Sequence, residues 1–250
     1  MKRFLVALVA VLPLHAAIAQ STTAEHPLHE RGSVGISVGL NLGAYREETY
    51  ANVAQSIEAV SINLHGEFPA GGLLHGVSLF WYVTEPESPH RASLDYSLAW
   101  AANDSGPFPN RLGVRLRTDV FLQFAHYPSV TVAANVGPVF RQYWQIDERN
   151  SLSCTASTPL FGWALRPPYA GADALMMQYA EDSPLMILTM GGLTSPHNLL
   201  ALDTTVTWTH EVTSAFALSF EGGLSLSRFA EPRPRHDLAW AFTSGAVYTY

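Results

Sequence analysis

Seven charged residues fall on the polar side of alternating segments: Asp95, Arg115, Arg117, Asp119, Arg141, Asp203 and Glu221. Charges of mixed sign taken out of bulk water need partners. Gathered inside a narrow lumen, these seven would form an ion-pair network that closes it, or a polar path that selects solutes by charge. A symmetric hairpin about residues 103–110 sets Asp95 opposite Arg117. The same construction about residues 210–214 sets Asp203 opposite Glu221. Two facing carboxylates repel unless a cation intervenes, and Arg115 or Arg117 reaching across the lumen is the expected cation.

Other catalytic and ligand chemistry is sparse. His236-Asp237 offers acid–base groups at a strand start beside the 231–235 loop, but no nucleophile motif accompanies it. A solvated loop end is expected there, and the chain reads as a non-enzyme. Its ten histidines lack metal-ligand spacing, so neither metal nor cofactor is expected. Cys154 is the one cysteine; it excludes an internal disulfide and reads as a silent thiol in a loop.

The elements that carry these residues alternate with period two. Residues 32–43 put Val34, Ile36, Val38, Leu40 and Leu42 on one face, with Ser33, Gly35, Ser37, Gly39 and Asn41 on the other. The same alternation runs through 56–66, 73–84, 91–101, 111–126, 130–143, 200–209, 216–226 and 238–250. Tyr127-Pro128 marks a tight turn, and Pro138, unable to donate to a ladder, predicts a bulge. A soluble barrel would turn Lys, Glu and Asp outward. Here the polar faces hold mostly Gly, Ser, Thr, Ala and Asn, and the apolar faces carry Trp81, Trp100, Phe124, Trp208 and Tyr250 near segment ends. That pattern predicts a lipid-facing band with aromatic girdles around a small-residue interior. The expected fold is all-β, a closed antiparallel transmembrane β-barrel. Ten strands are favoured, with 184–191 as the tenth, and eight if two segments belong to loops. Residues 145–183 read as a long irregular insertion with helical spacing over 172–182, a surface loop or a lid over the lumen.

The ends of the chain agree. Lys2 and Arg3, the apolar run 4–14 and Ala17-Ile18-Ala19 have the layout of a cleavable signal peptide over 1–19, leaving a barrel over 20–250. The 250 residues carry a formal charge of -7; without Lys2 and Arg3, 12 basic residues face 21 acidic ones, a charge of -9. Nucleic acid is therefore excluded as a partner. Hydrophobic residues reach 48% and charged ones only 14%. After the signal, no run is long enough for a membrane helix.

Gly245, Tyr248 and Tyr250, ending on the last residue, resemble the terminal signal of bacterial outer-membrane proteins that the barrel assembly machinery recognises. With the signal peptide and the alternation, the chain resembles the small outer-membrane barrels of the OmpW/OprG and OmpA/OmpX types. The resemblance implies residence in a bacterial outer membrane, contact with its lipids, and assembly by that machinery. The function expected first is the one the OmpW type implies, a narrow, porin-like channel for passage of small-molecule solutes. The OmpA/OmpX type implies a plugged barrel serving adhesion or envelope integrity. A barrel hydrolase is a further alternative.

Overall fold

The structure is a computed structural model that describes residues 31–47, 55–83, 90–103, 109–123, 129–166, 178, 190–230 and 234–250. Twelve strands occupy them: β1 (Ser33–Glu47), β2 (Gln55–Ala70), β3 (Leu73–Val83), β4 (His90–Asn103), β5 (Asn110–Gln123), β6 (Ser129–Gln145), β7 (Asn150–Ser157), β8 (Phe161–Leu165), β9 (Gly192–Thr194), β10 (Leu199–Thr213), β11 (Phe216–Phe229) and β12 (Arg235–Thr249). Every pairing is antiparallel. β12 pairs with β1, and the β5–β6 pairing closes the sheet on itself.

The closed sheet has ten staves. β7 and β8 both pair with β6 and form one interrupted strand, and β9 continues β10 past a turn at residues 195–198. The tenth strand is therefore Asn150–Leu165, not residues 184–191, of which 184–189 lie outside the described residues. The irregular insertion expected over 145–183 contains this strand. The 172–182 stretch expected to be helical lies outside the described residues, apart from Gln178, as do the 127–128 turn and Phe124.

Pro138 stays in register with Val114 on β5, so the bulge expected at Pro138 is not on its own strand. It lies opposite, at 158–160, where the pairing with β6 shifts by one residue. The N–H groups of Thr158 and Leu160 still donate to Pro138 and Val136. The shift changes which parity faces inward between β7 and β8.

Tight turns lie at the end that holds Ser33 and Thr249, the terminal end of the described strands. Gly71 and Gly72 join β2 to β3 with φ of 60° and 77°, the two positive values that a two-residue primed hairpin turn needs. Between β6 and β7, the Asp147 carboxylate accepts from the backbone N–H groups of Arg149 (2.8 Å) and Asn150 (2.9 Å) and from the Asn150 amide. These bonds, the Arg149 one foremost, hold the Asp147 carboxyl below its ordinary range. The strand ends at Glu47 and Gln55, Val83 and His90, Gln123 and Ser129, and Phe229 and Arg235 all lie at the opposite end. Counting Asn150–Leu165 as a strand brings Leu165 to that same end, beside Val132.

The outward face is apolar. Val34, Ile36, Val38, Leu40 and Leu42 on β1, and Leu238, Trp240, Phe242 and Tyr248 on β12, are all exposed. Leu238 to Tyr248 spans ten residues. At roughly 3.4 Å per residue and a tilt near 40°, its height is about 26 Å, close to the ~25 Å apolar band of outer-membrane barrels. Near the terminal end this face carries aromatic pairs. Trp208 stacks on Phe220, Tyr248 on Tyr250, and His75 both stacks on Phe68 and hydrogen-bonds Tyr96. Cys154 lies on the outward side of β7 opposite Val206 and Gln142, in a strand rather than in the expected loop.

Candidate functional site: a partitioned lumen

Two cavities divide the lumen. The larger, about 1230 Å³, opens at the terminal end, where Ser33, Pro109, Glu148, Ser214 and Thr249 form its mouth. The smaller, about 110 Å³, lies toward the opposite end, between Tyr45, Phe121, Phe229 and Arg235. Tyr82, Arg91, Arg115, Arg117 and Asp203 line both, so they form the partition between them.

The partition is an ion-pair network held by β4, β5 and β10. Arg115 bonds Asp95 through Nε at 2.8 Å and reaches Asp203 through Nη1 at 3.5 Å. Arg117 binds Asp119 at 2.7 Å and Asp203 at 2.9 Å. Arg91 adds a second cation to Asp119 at 3.1 Å. Ser225 donates to the other oxygen of Asp203 at 2.6 Å, and Ser157 accepts from Arg115. Strand alternation accounts for the cluster. Arg115, Arg117 and Asp119 are two residues apart on β5, so all three point inward, and the register brings Asp95 and Ser97 beside them.

Asp95 and Arg117 are register partners, as expected, but the ion pair of Asp95 is with Arg115, one step along β5. Side chains lean along a strand, and Arg117 leans the other way, toward Asp119 and Asp203. The facing of Asp203 and Glu221 is a misreading. Asp203 pairs with Ser225, and Glu221 pairs with Thr207. The hairpin turns at 214–215 and β10 runs on to Thr213, so the register slips by two residues on each strand. Arginines from β5 do hold Asp203. Glu221 makes no ion pair among the described residues; its bond is from the Thr207 hydroxyl at 3.3 Å.

Arg141 belongs to a separate cluster nearer the terminal end. It pairs with Glu67 across the lumen and donates to Ser97 at 3.0 Å. Gly76 makes room for it: a Cβ there would lie 2.6 Å from the Ser97 hydroxyl and 3.2 Å from the Arg141 guanidinium. Gly76→Val is accordingly expected to displace Arg141 from Glu67 and cost about 1–3 kcal/mol, read as a lower urea midpoint of the lipid-embedded barrel. An unchanged midpoint would show that Arg141 relocates without loss.

Beyond the partition the lumen closes on aromatic rings. Arg235 lies 4.3 Å from the Phe121 ring centre and 5.3 Å from that of Tyr45, and it pairs with Asp237 at 2.8 Å. Arg166 lies over Phe229 at 4.7 Å. Sequence reading missed Glu67, Arg91, Arg166 and Arg235 as lumen groups. Arg91 and Arg235 open their strands, where the alternating pattern has only begun. His236 and Asp237 do not form a dyad. Asp237 turns inward to Arg235, while His236 shares the exposed outward face with Leu238. Among the described residues no group of three or more His, Cys, Asp or Glu is placed to hold a metal.

No protein-family profile and no curated protein matches the chain. Solved structures do. The outer membrane protease OmpT of Escherichia coli aligns at 8% identity over 92% of this chain and all of that one, with a TM-score of 0.61. An outer membrane channel from Pseudomonas putida F1 aligns at 9% identity over 92% of this chain and 100% of that one, with a TM-score of 0.43. Neisserial surface protein A aligns at 9% identity, over 88% and 97%, with a TM-score of 0.38. At such identities a likeness speaks to the fold alone. The chain has the closed, ten-stranded antiparallel barrel fold of small outer-membrane proteins.

Proposed function

We propose that the protein is an integral barrel of a bacterial outer membrane that is plugged in its resting state and serves the envelope or surface contact rather than free diffusion. The partition carries this reading. Eight lumen residues line both cavities, and the charges among them are paired across β4, β5 and β10 rather than left facing a continuous water path. Its partners are outer-membrane lipids and, during biogenesis, the barrel assembly machinery that would read Gly245, Tyr248 and Tyr250. Catalysis has no place in this reading, since His236 and Asp237 point to opposite faces.

The cavity of about 1230 Å³ favours a second reading: passage of small polar solutes when the partition loosens. Planar-bilayer recording separates the two. The plugged reading expects no unitary conductance steps from the wild type, and discrete steps from a variant carrying both Arg115→Ala and Arg117→Ala. Steady steps from the wild type would replace it with the channel reading. Recovery in the soluble periplasmic fraction instead of the outer-membrane fraction would end both.

A further inference from the structure

The chamber of about 1230 Å³ on the terminal side of the partition has a wall that the ion-pair network leaves out. β7, β10, β11 and β12 build it. Strand register sets Ser153, Thr207, Glu221 and Thr243 side by side in one inward row. The row nearer the terminal end adds Ser151, Thr209 and Ser219, and the row nearer the partition adds Thr155 and Thr205. All of these residues line the chamber. The remaining positions of the three rows are Gly223, Ala241 and Gly245, so Glu221 is the one charge of the wall. With strands about 4.8 Å apart and same-face residues about 6.8 Å apart, the patch is about 14 Å on a side.

Glu221 is set to meet a ligand there. It shares a row with Thr207, four residues and roughly 14 Å along β10 from Asp203, so it stands clear of the partition. Its Oε2 accepts from the Thr207 hydroxyl at 3.3 Å, and its Oε1 has no hydrogen-bond partner among the described residues. The field of Arg115 reaches it, but Arg115 is bonded to Asp95, Asp203 and Ser157. The other inner carboxylates are matched: Glu67 by Arg141, Asp95 by Arg115, and Asp203 by Arg115 and Arg117. Gly223, the next inward position on β11, leaves space beside Glu221, since a Cβ there would meet nothing closer than 3.4 Å. The mouth carries the same sign of charge. Glu148 and Glu211 line the chamber without an ion pair among the described residues, and Arg31 donates to the Ser214 carbonyl at 3.4 Å. The entry therefore favours cations.

Each Ser or Thr hydroxyl both donates and accepts, which suits a ligand with several hydroxyls of its own. The lone carboxylate adds a preference for an ammonium group, because charge-assisted hydrogen bonds are the stronger ones. An ionisable group inside a membrane protein that makes no ion pair of its own marks a place for a solute. Small-molecule pockets measure roughly 300–1,000 Å³, so the chamber admits a sugar-sized solute with room for water.

We propose that this wall binds a small polyhydroxylated cation of the amino-sugar class, which enters from the terminal end, sets its ammonium on Glu221 and its hydroxyls on Ser153, Thr205 and Thr209. The site rests on the membrane-barrel reading above but lies outside the partition, so it stands whether the barrel is plugged or conducting.

The test uses the barrel refolded in neutral detergent near neutral pH, with binding of glucosamine or glucose read by saturation-transfer NMR. The wild type is expected to bind glucosamine about tenfold more tightly than glucose, and added salt narrows the gap. Glu221→Gln lowers glucosamine affinity about tenfold, to the level of glucose, and leaves glucose unchanged. Thr205→Val with Thr209→Val weakens both sugars. Equal affinity of the wild type for the two sugars, binding of neither, a Glu221→Gln variant that holds glucosamine as the wild type does, or a threonine variant that binds both sugars unchanged overturns the site. The heat-dependent gel shift of each sample reports the barrel separately: a wild type without it overturns the membrane reading instead. Should the threonine variant lose the shift, Glu221→Gln, which keeps the shape of the side chain, decides.

Discussion

Asp203→Ala is expected to destabilise the barrel by about 2–3 kcal/mol, while Glu221→Ala shifts it by less than about 0.5 kcal/mol or stabilises it slightly. The two carboxylates sit on neighbouring strands and both face the lumen, so burial alone would predict similar effects. Their partners differ. Asp203 joins Arg115 and Arg117 and accepts from Ser225. Its loss leaves two guanidiniums drawn together without the charge between them, though each keeps one carboxylate, Asp95 for Arg115 and Asp119 for Arg117. Breaking a fully buried pair costs about 3–5 kcal/mol. The Asp203 side chain remains 22% exposed, so water compensates part of this and the lower figure follows. Glu221 has only the Thr207 hydroxyl at 3.3 Å, so removing it forfeits one weak bond and relieves an unpaired charge. Urea midpoints of the lipid-embedded barrels measure both changes. Equal losses would show that the network does not organise the lumen.

The contrast between Asp203 and Glu221 also marks how far the sequence could be read. Period-two alternation located nine strands, because a one-residue slip would turn a whole face such as Val34 to Leu42 into the lumen. The tenth was missed for a physical reason. Asn150–Ser157 does alternate, but its outward residues are Leu152, Cys154 and Ala156, two of them small, and Thr158-Pro159 interrupts the pattern before Phe161 restores it with opposite parity. Which residues face inward was legible. Which inward residues touch was not, because contact depends on turn position. The hairpin about 103–110 is nearly symmetric, so Asp95 met Arg117 in register. In the hairpin at 214–215, His210, Glu211 and Val212 extend the strand, and the assumed symmetry, centred two residues too early, placed the carboxylates four residues out of step. Contacts that cross the lumen, such as Arg117 with Asp203 or Arg141 with Glu67, depend on barrel closure and stagger, which no local pattern encodes.

Closure itself yields the prediction with the largest effect. Removing Tyr248 to Tyr250 is expected to abolish the heat-modifiable barrel, both in cells and on refolding into pure lipid vesicles. β12 is the seam between the last and first strands, and its final residues bond to both sides. Tyr248 pairs with Val34 and Phe216, Thr249 pairs with Ser33 and donates to the Ala215 carbonyl at 2.9 Å, and Tyr250 donates to Gly32 at 2.9 Å. Gly32 is shaped for the last residue, since a Cβ there would lie 2.5 Å from the Tyr250 ring. Gly245 plays a similar part higher on the seam, where a Cβ would come within 2.3 Å of the Ile36 carbonyl and 2.6 Å of Ser37 Cβ. Truncation strips partners from several backbone groups at the lipid boundary, and each unpaired group in hydrocarbon costs several kcal/mol. It also exposes edges that barrels exist to avoid. Refolding without cellular machinery separates two causes. If the truncated chain closes normally in vesicles yet fails to assemble in cells, the terminal residues act as a recognition signal and not as the seam. If it fails in both, the missing backbone bonds are sufficient cause. Normal gel shifts in both settings would show that β12 closes the barrel without its last three residues.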